Sequence, residues 1–546
     1  MIKITSKSEP KRRIQKIRGA NYVYEDHPYW DKVKQQTRHK RIYLGTFNFE
    51  GDFVPNQTFL NRQLRAQAEQ KPAAAPAAPA KRCFYGGPYL LEEIGKATGV
   101  NEGLATCFPE LHREIIALAH YLVLEGESAM YRFPCWAKTH WNDLDSDLTS
   151  QKISKLFASV SEAAKLEFFR HQSARRLEKE YLAYDTTSIS SYSELIDHVK
   201  YGYNKDLERL PQINLALVFG EKSMLPVYFR KLPGNIADVK TVKKLLEDVD
   251  FLKLDKVKLV MDRGFYSAAN INDLYRHHYK FVVSARNNTA LASKHIAAAR
   301  DGICDYSNYS PEQQIYCVSA TDLWPYEEIV SGEVRKGERR IYVHVYYNEE
   351  RAAAEKAEFN RSLSVLETAL REGTASEEQL KAGMKYFTVT ETPKRGRNVE
   401  SKIKAIREHM DSFGFFTLQS NELKDPRAAL ECYRNKDLVE KAFGNLKERL
   451  DMRRTAVFSS ENLEGKLFVQ FVALIYLSHI HKTMKEHQLY RNYSMQTLLD
   501  ELDLIERFDY QTRKWLCGEV TGKQAKLYVA FGITRQTCYN FLGLCL

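Results

Sequence analysis

The stretch Val257-Lys258-Leu259-Val260-Met261-Asp262-Arg263-Gly264-Phe265 decides the reading of this chain. Its first five residues form a short apolar run of the kind found in strands buried on both faces. An aspartate closes the run, and Gly264 allows the tight turn that follows. A carboxylate at the end of a buried strand needs a partner or a cation.

Working outward, Ser267 is placed to cap a helix reaching about residue 277, and 280–284 is a further apolar strand. Upstream, 182–189 reads as a strand, 213–219 and 225–229 as a hairpin turning at 220–223, and 237–249 as a helix. The order β-β-β-α-β-α-β is that of a ribonuclease-H-like fold, an α/β architecture with a mixed sheet and helices on both faces. In that order the first strand is central and pairs with the fourth. Asp185, within Tyr184-Asp185-Thr186-Thr187-Ser188-Ile189, then comes close to Asp262, and a shared cation would neutralise their repulsion. The helix that should close the sheet is delayed by roughly 140 residues, too many for a loop, so 286–425 reads as an inserted α+β subdomain. Strands are expected in it at 340–347, 386–389 and 413–418, and helices at 352–372 and 400–410.

The closing helix is expected from Lys436 to Leu450 and carries Glu440. At 100° per residue, Tyr433, Lys436 and Lys447 fall within about 40° of Glu440 if the helix extends through them. Val439, Phe443, Leu446 and Leu450 form a separate apolar stripe for packing. An acid between two cations and a phenol suits a metal held by the acid and a phosphate held by the rest. The same pattern also occurs on ordinary exposed helices with spaced charges.

The chain has 546 residues, enough for about three to four domains. Its net charge of +11 fits a slightly basic soluble protein or a polyanion binder. Distribution favours the latter: the first 41 residues hold twelve Lys/Arg, among them Lys11, Arg12 and Arg13, against four acids. Residues 1–68 read as a basic β-rich DNA-binding module and 69–82 as a Pro/Ala linker. Residues 83–180 read as a helical region for DNA binding or dimerisation, with a break at Gly99 that suits a helix-turn-helix or a bundle corner equally. The catalytic domain takes 181–285 and 426–485, and 486–546 is a helical tail that either pairs subunits or covers the sheet. Nine scattered cysteines without a C-x-x-C pair argue against a disulfide framework or zinc site and suit a reducing cytoplasm. No unbroken apolar run approaches the ~20 residues of a membrane span, so no membrane partner is expected.

Three motifs stand in order: Asp185 in a strand, Asp262-Arg263-Gly264-Phe265 at a strand end, and Tyr433-(2)-Lys436-(3)-Glu440-(6)-Lys447. Over about 180–480 the chain resembles bacterial DDE transposases of the insertion-sequence-four superfamily, with Lys436 where arginine is usual and Arg434 nearby. The resemblance implies that Asp185, Asp262 and Glu440 are catalytic and bind two Mg²⁺ (or Mn²⁺) ions per site. It implies double-stranded DNA partners, namely the terminal inverted repeats of an insertion sequence and a target, with cutting at the ends and joining of 3′ ends in a homodimeric synaptic complex. DNA contacts are expected from Arg263, Tyr433, Arg434, Lys436, Lys447 and the Lys11-Arg12-Arg13 arm. Trp324 is a candidate for stacking on a flipped base, or else packs a small core. The rival functions are a nuclease of the same fold that never joins ends, and a non-catalytic domesticated DNA-binding protein.

Overall fold

A computed structural model describes residues 11–17, 20–31, 34–48, 52–69, 81–126, 129–175, 180–193, 195–251, 257–330, 333–392, 396–450, 452–457, 459–509 and 515–533. The chain forms two compact units, Met1–Ala80 with Tyr510–Arg513, and Lys81–Asp509 with Lys514–Leu546.

In the first unit, strands Lys11–Ile17, Ala20–Asp31, Gln36–Phe47 and Phe53–Pro55 pair in chain order, and helix Gln57–Glu69 follows. Val23, Leu44 and Phe59 make its core. Asp26 is buried and pairs with Arg13 (3.2 Å) and His39 (3.0 Å), so part of the basic arm serves the fold. The Arg12 guanidinium lies 5.6 Å from the Phe59 ring centre. The Lys11 side chain and the Pro/Ala tract at 70–80 lie outside the described residues.

The second unit is organised by a nine-stranded sheet. In chain order its strands are β1 (Tyr181–Ser190), β2 (Gln212–Gly220), β3 (Pro226–Pro233), β4 (Lys258–Met261), β5 (Lys280–Ala285), β6 (Tyr309–Ser310), β7 (Ile315–Val330), β8 (Glu333–Tyr347) and β9 (Phe415–Ser420). Helix α1 (Asp238–Phe251) joins β3 to β4, and α2 (Ala268–Arg276) joins β4 to β5. Ser267 caps α2 by accepting the Asn270 amide. The spatial order is β6-β7-β8-β9-β5-β4-β1-β2-β3, with β1, β4 and β5 parallel and the other pairings antiparallel. It is a large mixed sheet with helices on both sides.

The stretch 286–425 is not one separate subdomain. After β5 the chain returns as the long β7–β8 hairpin and as β9, which pairs directly with β5 and β8. An uncovered β5 would leave its backbone N–H and C=O groups without partners, and this return satisfies them. The part 349–410 builds a small core of its own, around Leu363, Leu370, Phe387 and Val399.

The closing helix also differs from its expected form. It comes as α3 (Pro426–Arg434), α4 (Asp437–Gly444) and a π-helical turn, Asn445–Arg449. The bend lies at Asn435, whose side-chain amide donates to Glu221 (2.5 Å). Val439, Phe443 and Leu450 are buried, while the Leu446 side chain lies outside the described residues.

Helix α5 (Ser460–Glu486) is apolar enough on length and composition to cross a membrane, but it is the buried core helix of this unit. It packs on helices Ser150–Ser159 and His112–Glu125 and on β3. Two of its polar residues are well paired: Gln470 donates to the Leu450 carbonyl (2.6 Å), and Glu464 pairs with Lys165 (2.7 Å) and Lys231 (3.0 Å). The corner at Gly99 (φ 72°) joins helices Gly86–Thr98 and Val100–Cys107, whose apolar faces are buried. The exposed face of the second carries Glu102, Ala105 and Thr106 and no basic residue, so the corner is that of a packed bundle. The tail packs as well: Leu498, Leu499, Leu502 and Ile505 are buried, and strand Glu506–Asp509 pairs with Lys81–Phe84.

Two consequences can be measured. A Cβ on Gly465 would meet the backbone of Phe157 at 2.1–2.6 Å, so Gly465→Ala must push two helices apart. Denaturant unfolding should show a loss of roughly 1–3 kcal/mol. His120 is buried on Tyr476, and burial holds its pKa down at about 3 against an ordinary 6.5. Unfolding lets it take up a proton, so stability is complete above pH 6.5 and declines as pH falls towards 3. The loss is about 2 kcal/mol at pH 5, and pH-dependent melting of His120→Leu should lack that part of the slope.

Candidate active site

The register of two parallel strands starts the site. Tyr184 of β1 pairs with Met261 of β4, so the next residues, Asp185 and Asp262, stand side by side on strands about 4.8 Å apart. β4 ends where Asp262 turns to accept the Arg263 amide on its own Oδ1 (2.8 Å). Asp185 accepts the Thr186 amide (2.7 Å).

The bent segment α3–α4 supplies the third side. Tyr433 donates its hydroxyl to Asp262 Oδ1 (2.6 Å). Lys436, buried at the bend, places its ammonium 3.8 Å from Asp262 and 3.0 Å from Glu440. Its charge is also felt at Asp185. The bend, rather than a continuous helical face, brings Tyr433, Lys436 and Glu440 together. Lys447 goes elsewhere: it sits on the π-turn and pairs with Asp206 (2.5 Å).

The electrostatics follow from these contacts. Burial pushes the Asp185 carboxyl up, with Lys205 opposing. Burial acts the same way on Asp262, but the Tyr433 hydrogen bond and Lys436 outweigh it and hold that carboxyl below its usual range. Burial and the neighbouring Asp262 charge raise the Tyr433 phenol. Lys436 is held protonated, since Asp262 and Glu440 overcome the effect of burial.

The donors are all carboxylate oxygens, the chemistry a hard divalent cation takes. The Lys436 ammonium marks the point between them where positive charge is favoured. Among the described residues no three such ligands form a preformed metal cluster; Lys436 stands between Asp262 and Glu440.

Beside Asp262 opens a cavity of ≈ 640 Å³ whose lining includes Arg263, Arg286, Arg351, Arg434 and Tyr433. Guanidinium forks suit phosphate oxygens. Arg286 and Arg351 carry no motif; Arg286 follows the end of β5, the strand beside β4, and that position was their one legible signal. Lys205 was also missed. It reaches from the β1–β2 connection to Asp185 (3.5 Å) and Asp238 (3.7 Å), and only the path of that loop puts it there.

Trp324 does not join the site. It lies on β7 with its ring buried and its indole N–H donated to Asn272 (2.8 Å), so packing and not base stacking is its role in this structure.

Residues 176–476 match the family model described as transposase DDE domain. Among solved structures, the chain is similar to a piggyBac transposase synaptic complex with hairpin DNA, determined by cryo-EM. That likeness covers 76% of this chain and 77% of the other, at 11% identity and a TM-score of 0.34. No curated protein matches the sequence.

Removing the buried ammonium should leave Asp262 and Glu440 in open repulsion. Lys436→Met is therefore expected to melt earlier than wild type without metal, by about 1 kcal/mol, and to recover more on addition of millimolar Mn²⁺. Equal Mn²⁺ shifts in both proteins, read by thermal unfolding, would count against this account of the cluster.

Proposed function

This chain belongs to the transposase DDE-domain family and is a metal-dependent polynucleotidyl transferase; on that premise we propose that Asp185, Asp262 and Glu440 are its catalytic, metal-holding acids. The observation that supports this most is that Lys436 contacts both Asp262 and Glu440, while Asp262 stands beside Asp185 on the neighbouring strand and lines the arginine-rich cavity. We read the sheet as ribonuclease-H-like and the motif Tyr433-Lys436-Glu440-Lys447 as that of the insertion-sequence-four superfamily of bacteria. Mg²⁺ or Mn²⁺, two ions per site, would supply an activated oxygen nucleophile and charge stabilisation at the phosphorus.

The protein's own groups do the rest. Tyr433 and Lys436 keep Asp262 ionised and fixed. Arg263, Arg286, Arg351 and Arg434 hold phosphate oxygens of the DNA backbone by paired N–H donors. Lys436 grips as a point charge, without the bidentate geometry of arginine.

The substrate is double-stranded DNA at the terminal inverted repeats of an insertion sequence. The 3′ ends released by cutting are joined to target DNA, and two ends are processed together by a homodimer. The basic first unit, with Arg12 and the arm around it, adds sequence-independent backbone contacts.

The decisive test uses DNA carrying the element's own ends in Mg²⁺, with wild type and Glu440→Gln compared for cleavage and for joining to a second duplex. Glu440 is exposed, so the substitution spares the fold. Cutting and joining are expected in wild type, and both are expected to fall by at least about 10³-fold in the variant. Cleavage without joining would make the protein a nuclease, and binding with no metal-dependent cleavage would make it a non-enzymatic DNA binder.

A further inference from the structure

Strands β1 and β2 are antiparallel neighbours, which a turn of about 2–5 residues can join. Here residues 191–211 make the connection, and they leave β1 directly after the strand that carries Asp185. The loop is firmly built. Buried Asn204 accepts the amides of Asp206 (2.8 Å) and Glu208 (3.4 Å) and donates to Ser190 (3.2 Å). Lys200 and Gln212 exchange backbone hydrogen bonds at 2.9 and 3.0 Å, and the Gln212 side chain donates to the Tyr203 carbonyl (2.9 Å). A Cβ on Gly202 would strike the Gly234 carbonyl oxygen at 2.1 Å, and Leu207 is held at φ 59°, a left-handed conformation costly for leucine.

This frame buries Ile196 and Val199 but turns five other large apolar side chains outward. Tyr192, Leu195, Tyr201, Tyr203 and Leu207 are each between 69% and 85% exposed. A single exposed apolar residue needs no explanation, but five from one hydrogen-bonded loop mark a contact surface. Cations accompany the rings. Arg454 lies 5.3 Å from the Tyr192 ring centre, and Lys200, Arg209 and Arg453 are exposed. Of the loop's four carboxylates, Glu194 lies outside the described residues; Asp206 is neutralised by Lys447 (2.5 Å), and Glu208 by Arg454 while Ser190 donates a hydrogen bond to it. Asp197 stands at the far end, where its amide bonds to Ser460. The loop also touches the chemistry, because Lys205 extends from it to Asp185 (3.5 Å).

We propose that the loop 191–211 is a stacking platform for unpaired nucleotides flanking the phosphate to be cut, an inference that rests on the DNA reading above. Exposed phenol rings interleaved with cations fit a ligand with flat apolar faces and regular negative charge. In an intact duplex the base faces are covered by their neighbours, so only opened or terminal nucleotides offer them. Lys205 ties the platform to Asp185 on the β2 side of the acids, whereas the arginine cavity lies beyond Asp262 in the direction of β5. The strand entering the site is thus held by its phosphates on one side and by its bases on the other.

The test uses the full-length protein in EDTA, so that nothing is cleaved. The probes are a blunt duplex and the same duplex with a single-stranded tail containing 2-aminopurine, of arbitrary sequence because stacking tolerates any base. Wild type should bind the tailed duplex roughly ten-fold more tightly than the blunt one and quench the 2-aminopurine. The triple variant Tyr192→Ser, Tyr201→Ser, Tyr203→Ser should lose both the preference and the quenching. It should keep blunt-duplex affinity and its salt dependence, and its unchanged melting temperature will show that it folds. A triple variant that still quenches and prefers the tail overturns the platform alone. So does one whose only change is lost self-association in sedimentation, which would make the surface an interface between copies. Wild type binding neither probe would overturn the DNA reading itself.

Discussion

The parallel pairing of β1 with β4 sets two aspartates side by side at the end of a buried layer, and the rest of the site answers the repulsion this creates. Two adjacent carboxylates hold their charges more easily with positive charge nearby. Lys436 supplies it from the bend between α3 and α4, and Lys205 from the connection after β1. The consequence is an asymmetric pair. Asp262, hydrogen-bonded to Tyr433 and faced by Lys436, holds its charge easily, whereas the more buried Asp185 resists ionising. A polyvalent cation would relieve both at once.

That pairing depends in turn on how the sheet is enclosed. β5 would be an open edge if the chain ended its sheet there, and the return of β9 with the β7–β8 hairpin covers it. This same return places Arg351 and Phe416 across from Asp262 and so forms the far wall of the cavity. On the opposite side α5 runs through the core, with Gly465 permitting contact with helix Ser150–Ser159 and Lys165 and Lys231 neutralising Glu464. The segment that carries Glu440 therefore has a firm base below and an open, cationic surface above.

Asp185, Asp262 and Glu440, and Tyr433 and Lys436 beside them, stand out in the sequence because each lies at a local landmark: a strand, a strand end with a glycine turn, a helical segment with spaced charges; the structure brings Tyr433 and Lys436 onto Asp262 and Lys436 onto Glu440. The strand and helix order from 181 to 285 was legible for the same reason, since apolar periodicity and the Ser267 cap are local signals. The bend at Asn435 was not, because helical spacing alone would continue straight through it, and it arises from a hydrogen bond to Glu221, which is remote in sequence. Nor was β7, where Pro325 and mixed polarity within 315–330 obscure a strand that is held mainly by its long pairing with β8. Lys447 illustrates the limit best: its spacing from Glu440 fits the motif, yet its ammonium pairs with Asp206, on a loop whose path no spacing encodes.

The sequence by itself determined which residues carry charge and where strands and helices begin, since both are set by side-chain chemistry over a few neighbouring positions. Tertiary structure decided which charges meet. Lys205 at Asp185, the arginines of the cavity, the burial of Trp324 and the outward tyrosines of 191–211 all follow from contacts between segments tens to hundreds of residues apart. The physical reason is that a hydrogen bond or ion pair acts over a few ångströms of space, and that distance is fixed only when the whole chain has packed.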